Sequence, residues 1–322
     1  MPYFPPWTSV AEAAALLASG HIVAIPTETV YGLAGNALDP LALAKIFAAK
    51  GRPVFDPLIV HIADIDSLEN VAQQIPESAY ALARAFWPGP LTLVLPKQPC
   101  IPDLATSGLS TVAVRLPQHP IAQEIIRKAE VPLAAPSANL FKHVSPTTAE
   151  HVAAQLGSKI DGIVDGGPCT VGVESTIVAF EDDTPVILRP GAITPLMIES
   201  IIGKVKLKNS SSNPGEAMVS PGTMDTHYQP RIPLYYGALP KDFVIPTNTV
   251  RIAFGNTKSS IPASLNLSEI GNLTEATANL YAYMHQLDTP SNGFILVDPI
   301  PNEGLGIALN DRLRRASIKK LS

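Results

Sequence analysis

Five short, β-branched apolar runs punctuate the first two hundred residues: HIVAI at 21–25, LIVHI at 58–62, LTLVL at 91–95, TVAVRL at 111–116 and STIVAF at 175–180. Runs this short read as strands, and amphipathic stretches lie between them, so the pattern dictates an α/β domain in which helices cover a sheet. Pro40 to Lys50, closed by Gly51, and Thr147 to Leu156, closed by Gly157, read as two of those helices, because a glycine just past the last turn suits a left-handed cap. The chain's 32 prolines bound many of these segments, since a proline cannot donate to a central ladder.

Residues 204–221, KVKLKNSSSNPGEAMVSP, carry neither a helical nor a strand period and read as a linker. Beyond them PLYYG (233–237), TVRIAF (249–254) and GFILVD (293–298) read as strands, with helices over Thr274 to Leu287 and Ile307 to Ala316. That is a small βα-alternating domain. The expected division is a large domain over 1–205, a linker over 206–230 and a small domain over 231–322. A chain of 322 residues with 46% hydrophobic content can build both cores.

No apolar run approaches the roughly 18 residues of a membrane span, and the first ten residues lack a basic segment followed by an apolar one, so a cytoplasmic location is expected. Cys100 and Cys169 are far apart and form no CxxC, which supports neither a disulfide framework nor a zinc site. Residues 1–205 carry 12 Lys and Arg against 19 Asp and Glu, a net of −7, while residues 206–322 carry 11 against 9. A surface built throughout for nucleic acid is disfavoured, and any anion site in the first part must be local.

The common nucleotide and metal signatures GxxxxGK[ST], GxGxxG after a strand, and HExxH are absent. Polar residues stand instead where apolar strands end or are interrupted, the usual place for ligand groups in α/β sheets. Thr27, Glu28 and Thr29 follow the first strand; the hydroxyls either grip a polar ligand or bond their own turn. Lys50 and Arg52 flank Gly51, and their charges suit a polyphosphate or simply offset the helix C-terminus. His61 and Arg115 interrupt apolar strands. A buried guanidinium must meet an anion, which leaves a ligand carboxylate and a structural salt bridge as readings of Arg115, while His61 by itself reads as a core histidine. Ser137, Asn139 and Ser145 sit in loops where they contact a ribose or phosphate, or cap turns. Ser175 opens a strand after a glycine-rich segment, and Arg189 ends the strand PVILR as a phosphate ligand or as a solvated strand end.

Together these segments closely resemble the threonylcarbamoyladenylate synthase family, the YrdC-like proteins, in its two-domain form with a C-terminal extension. The resemblance covers nearly the whole chain. It is carried by PTETVYGL (26–33), KGRP (50–53), PLIVH (57–61), FWPGPLTLVL (86–95), TVAVRLP (111–117), APSAN (135–139), SPTTAEHV (145–152), DGGPCTVGVESTIV (165–178), LRPG (188–191) and SPGxxxxHY (220–228). The resemblance implies a twisted mixed α/β sheet with helices and a large concave cationic cavity for ATP and L-threonine, plus a smaller Rossmann-like α/β domain. It implies that threonine's amine takes up bicarbonate-derived carbon dioxide and that the carbamate attacks the α-phosphorus of ATP, releasing pyrophosphate. No protein nucleophile is needed, in keeping with the lack of a Ser/His/Asp or Cys/His arrangement.

By motif position the resemblance assigns Thr27, Thr29, His61, Arg115 and Ser175 to L-threonine, with Arg115 on its carboxylate. It makes Lys50 and Arg52 the catalytic cations on the phosphates. Asp56, Thr111, Ala135, Ser137, Asn139, Ser145 and Arg189 fall to the nucleotide, and Tyr228 closes over the cavity. Mg²⁺ rides on the ATP phosphates with no metal site in the protein. The product passes to a downstream threonylcarbamoyl-transferase complex that modifies tRNA, without stable nucleic-acid binding. The chain departs from the family at three places: Asp56 replaces a usual asparagine, Asp225 lies where basic residues are usual, and LFKHVS follows Asn139 in place of a serine-glycine form. Two other readings stand beside this one. One is an RNA-binding module of the same fold; the other is a carbamoyl-transfer enzyme of protein maturation, although its zinc-finger-like and acylphosphatase-like segments are not visible here.

Overall fold

The computed structural model describes residues 7–181, 184–208, 226–237, 244–257 and 259–318. Ten strands make one mixed sheet: β1 (Val23–Ile25), β2 (Gly32–Asn36), β3 (Ile59–His61), β4 (Leu91–Pro96), β5 (Thr111–Arg115), β6 (Leu133–Ala134), β7 (Gly162–Ile163), β8 (Thr176–Glu181), β9 (Thr184–Arg189) and β10 (Lys206–Leu207). Their order across the sheet is β10-β9-β8-β4-β5-β3-β6-β2-β1-β7. Four more, β11 (Leu234–Tyr236), β12 (Thr249–Ala253), β13 (Leu265–Asn266) and β14 (Phe294–Val297), form a second sheet ordered β11-β14-β12-β13, in which every pairing is parallel. The helices are α1 (Val10–Ala18), α2 (Pro40–Lys50), α3 (Glu77–Phe86), α4 (Asp103–Thr106), α5 (Pro120–Ala129), α6 (Ala149–Leu156), α7 (Pro195–Ile202), α8 (Leu273–Leu287) and α9 (Gly306–Ala316).

Alternation along the strands divides the core. In β1, Ala24 packs with α2, α3, α6 and α7 on one face of the large sheet, while Val23 and Ile25 pack with α1 and α5 on the other. Ile59, Val94, Ala113, Ile177 and Leu188 form a patch made of strand residues alone. The second sheet's core is not closed on itself. Val30, Val144 and Val173 of the first part are buried in the same cluster as Ile252, Leu280, Ile295 and Leu309 of the second. The approach is close enough that a Cβ on Gly172 would lie 2.6 Å from the Ala278 Cα and the Thr277 carbonyl of α8.

The elements expected from the apolar runs are present, and α2 begins and ends where the sequence places it. Asp39 caps it by accepting from the Leu41 amide at 2.9 Å, and Gly51 closes it with φ +62° and ψ +30°. Gly157 departs from the expected cap: its ψ is −122°, and a 3-10 turn over Gly157–Lys159 continues the chain. The start of the expected linker is also structured, because β10 pairs in parallel with β9. Residues 209–225, which contain Asp225 and SPGxxx of SPGxxxxHY, lie outside the described residues.

Candidate active site

His61 and Arg115 face each other in register across β3 and β5, and the pleat explains why both interrupt apolar strands. Val60 and Val114 point into the helix-covered core, so Ile59, His61, Ala113 and Arg115 point to the opposite face. Their side chains rise from the sheet's face near the strand ends, and a hollow opens there. Thr27, Thr29, Arg52, Ala135, Ser137, Ser175, Arg189, His227 and Tyr228 complete its wall together with Glu174. Arg52, Arg115 and Arg189 thus reach one space from three distant segments. With His227 and Tyr228 seated in it, the hollow keeps about 40 Å³ free, room for a few waters.

Each cation is matched. Arg115 binds Glu28 Oε1 through Nη2 at 2.7 Å, donates through Nη1 to Thr29 Oγ1 at 2.8 Å and through Nε to the Gly89 carbonyl at 3.2 Å. The salt-bridge reading of Arg115 and the hollow-lining reading are therefore both realised. Arg52 pairs with Asp56 at 2.8 Å and donates to the carbonyls of Asp56 and Pro57, which gives the departure at position 56 a structural role. Burial pushes the Asp56 carboxyl up against the pull of Arg52, and pushes the Arg52 guanidinium down. Lys50 does not line the hollow. Its buried ammonium donates to the carbonyls of Ser137 and Asn139, and burial together with Arg52 holds its pKa well below the usual range.

Arg189 holds Ser175 by two bonds, Nε to its carbonyl at 3.1 Å and Nη2 to its hydroxyl at 3.2 Å, while that hydroxyl also meets Thr92 Oγ1 at 2.7 Å. The segment Glu174–Thr176 and the turn after Arg189 touch backbone to backbone: a Cβ on Gly191 would stand 2.4 Å from the Thr176 amide. Only glycine permits that approach, and it brings Ser175 and Arg189 together. The Thr27 hydroxyl donates to the Val30 carbonyl at 2.7 Å, so it both shapes its own turn and faces the hollow. His61 is depressed to about 3 by burial and by Arg115, so its ring is neutral near pH 7. Its Nδ1 donates to the Ile59 carbonyl at 3.2 Å, which leaves Nε2 as an acceptor.

Four further expected residues stand off the wall. Thr111 is half-buried at the start of β5, about 13 Å along the strand from Arg115. Asn139 is buried and donates to the carbonyls of Leu140 and His143, the turn-capping role. Ser145 donates to Glu174 Oε1 at 2.6 Å, and Asp56 lies behind Arg52. Conversely, sequence reasoning passed over Glu174 and His227, each adjacent to a residue it named. It also passed over Arg312 of α9, which reaches Glu174 Oε2 at 2.8 Å. Burial would raise the Glu174 carboxyl, but Arg312, Arg189 and the Ser145 hydroxyl hold it at about 2. Burial lowers His227 to about 3 and pushes Tyr228 up to about 12. The Tyr228 hydroxyl and His227 Nδ1 have no hydrogen-bond partner among the described residues.

Among the described residues no group of three or more His, Cys, Asp or Glu is placed to hold a metal ion. No described helix is long and apolar enough to cross a membrane.

Residues 15–191 match the Sua5/YciO/YrdC family model, described as Telomere recombination, and residues 193–317 match that of the threonylcarbamoyl-AMP synthase C-terminal domain. The chain is similar to the threonylcarbamoyl-AMP synthase of Bacillus subtilis, 43% identical over 96% of this chain and 92% of the relative. It is also similar to that of Pyrococcus abyssi, 42% identical over 95% and 93%. The crystal structure of P. abyssi Sua5 complexed with L-threonine superposes with a TM-score of 0.87 at 38% identity, covering 96% of this chain and 94% of that one.

Proposed function

The chain belongs to the threonylcarbamoyl-AMP synthase family, and on that footing we propose that its hollow joins L-threonine, bicarbonate and ATP into threonylcarbamoyl-AMP and pyrophosphate. The observation that carries the reading is the convergence of Arg52, Arg115 and Arg189 on one space that also presents Thr27, Thr29, His61 and Ser175. A guanidinium fork fits a carboxylate, and clustered cations fit a polyphosphate. Arg115 takes the threonine carboxylate, exchanging part of its hold on Glu28 for the ligand. Thr27, Thr29, His61 and Ser175 surround the amino acid's polar groups, with neutral His61 accepting through Nε2.

The threonine carbamate, formed from the amine and bicarbonate-derived carbon dioxide, attacks the α-phosphorus of ATP. A carbamate-oxygen-to-phosphorus bond forms, the bond to the bridging oxygen of the β-phosphate breaks, and pyrophosphate departs with that electron pair. The protein contributes positioning and charge. Arg52 meets the phosphates directly, and Lys50, bonded to the Ser137 and Asn139 carbonyls behind the wall, positions that loop for the nucleotide. Ala135, Ser137 and Arg189 meet the nucleotide from the wall. Asn139, Ser145, Asp56 and Thr111 act on that end through the loops and strand they belong to. The carboxylates around the hollow, Glu28, Asp56 and Glu174, are each held by an arginine, so Mg²⁺ is proposed to arrive on the triphosphate. Tyr228 and His227 occupy space that ATP needs, so they move outward to admit it and then cover the bound substrates.

The RNA-binding alternative is not favoured, because the cations of the hollow are buried and its first domain is net negative. A cytoplasmic setting and transfer of the product to a threonylcarbamoyl-transferase complex acting on tRNA belong to the same proposal. The test is omission: purified protein releases pyrophosphate from ATP only when threonine and bicarbonate are both supplied. Equal release without threonine would sink the assignment.

A further inference from the structure

A charged side chain of the second domain reaches a residue of the hollow's wall. Arg312, on α9, is fully buried and reaches across to Glu174, which belongs to the hollow's wall. Its Nε meets Glu174 Oε2 at 2.8 Å and its Nη2 donates to the Glu174 carbonyl at 3.3 Å. The hydroxyl of Tyr281, on α8, donates to the same Oε2 at 3.0 Å, while Oε1 accepts the Ser145 hydroxyl at 2.6 Å. The guanidinium also lies 5.4 Å from the centroid of the Tyr228 ring. Two helices of one domain therefore hold a carboxylate of the other, in the wall that also carries Arg52 and Arg189.

A buried carboxylate at this place has an electrostatic consequence. The triphosphate that the proposed function brings into the hollow carries several negative charges, and an uncompensated carboxylate in the same low-dielectric wall would repel it. Glu174 would also compete with the phosphates for Arg189. A guanidinium bound to Oε2 cancels that charge and fixes the carboxylate so that Oε1 orients Ser145. At the threonine end Arg115 is matched by Glu28 and Thr29, and Ser175, the one residue there that adjoins Glu174, keeps its hydroxyl on Arg189 and Thr92.

We propose that Arg312 is a positioning residue for the nucleotide end of the site: by neutralising and orienting Glu174 across the domain boundary, it makes the second domain a requirement for ATP binding but not for threonine binding. This rests on the reading of the hollow as an ATP and threonine site. The experiment is calorimetric titration of the full chain with ATP and, separately, with L-threonine. Arg312→Gln is expected to weaken ATP binding at least tenfold while threonine affinity stays within twofold. Adding Glu174→Gln removes the charge that Arg312 answers while keeping an acceptor for Ser145, so the double variant Glu174→Gln/Arg312→Gln is expected to recover ATP affinity to within threefold of the parent. The double variant buries no lone charge, so it remains an independent test if Arg312→Gln does not fold. Equal losses for both ligands in Arg312→Gln, no loss for either, or a double variant still tenfold weaker for ATP would each overturn the proposal. If the parent chain itself binds neither ligand, the reading of the hollow fails instead.

Discussion

The two ends of the hollow are built differently. At the proposed threonine end, Arg115, His61 and Ser175 stand on or beside strands of one sheet, and the Thr27–Val30 turn is bonded within itself. At the proposed nucleotide end the wall is assembled from the loop after α2, the segment after β6, the end of β9, the His227–Tyr228 segment and, behind Glu174, α8 and α9 of the second domain. The first end stands on fixed backbone and exchanges only part of Arg115's hold on Glu28; the second must move the Tyr228 segment as well as loosen Arg52 from Asp56. A site divided in this way can hold its amino acid on a fixed platform and gate its nucleotide.

The harshest way to break that division is to remove Arg115. Arg115→Met leaves the Glu28 carboxylate buried without its partner, and a loss of about 3–5 kcal/mol in denaturant unfolding is expected together with loss of detectable threonine binding. Adding Glu28→Gln separates the two roles: stability should return and threonine binding should not. Recovery of threonine binding in the double variant would show that Arg115 serves only the fold.

A smaller effect sharpens the other end. Tyr228 is 1% exposed, stacks near Tyr281 with ring centroids 5.7 Å apart, and leaves its hydroxyl unpartnered among the described residues. Tyr228→Ala is expected to cut pyrophosphate release at saturating substrates about tenfold, roughly 1.4 kcal/mol in the barrier, with threonine affinity within twofold. An equal loss of threonine affinity would mean that the two ends do not act separately.

The same division governs what could be read from the chain. Strands of β-branched runs, α2 with Asp39 and Gly51, and the polar breaks at His61 and Arg115 are local signals, so the sheet and most of the threonine end were legible. α1, α3, α5 and α7 were not singled out, and β2 was missed because Gly32–Asn36 looks like a turn rather than a strand. Ligand groups are expected where strands end or are interrupted, and the pleat sends His61 and Arg115, which interrupt β3 and β5, to the open face of the sheet. The resemblance puts Lys50 on the phosphates, yet a fully buried ammonium needs acceptors, and the carbonyls of Ser137 and Asn139 supply them from behind the wall. Arg312 carries no local signal: it is one arginine of the amphipathic DRLRRA stretch, and its partner is 138 residues away.

The gentlest test concerns the boundary that the nucleotide end depends on. His151 of α6 and His285 of α8 stack across it, ring centroids 3.9 Å apart and 20° from parallel, and His285 Nε2 donates to the Ser145 carbonyl at 3.0 Å. Burial, and secondarily His285, lowers His151 to about 4. A native pKa below the unfolded value of about 6.5 means that the unfolded chain takes up the proton first as pH falls. The contribution of His151 is thus complete above about pH 6.5, declines as pH falls from there, and levels off near 4 once the native ring is protonated too. Across one unit, from pH 6.5 to 5.5, the unscreened loss is about 1 kcal/mol, and solvent at this half-buried ring reduces it further. His151→Phe keeps a ring against His285 and removes the titration, so its unfolding free energy should fall less steeply than the parent's over that interval. Parallel pH profiles for the two proteins would show that the stacked pair does not couple the boundary to acidity.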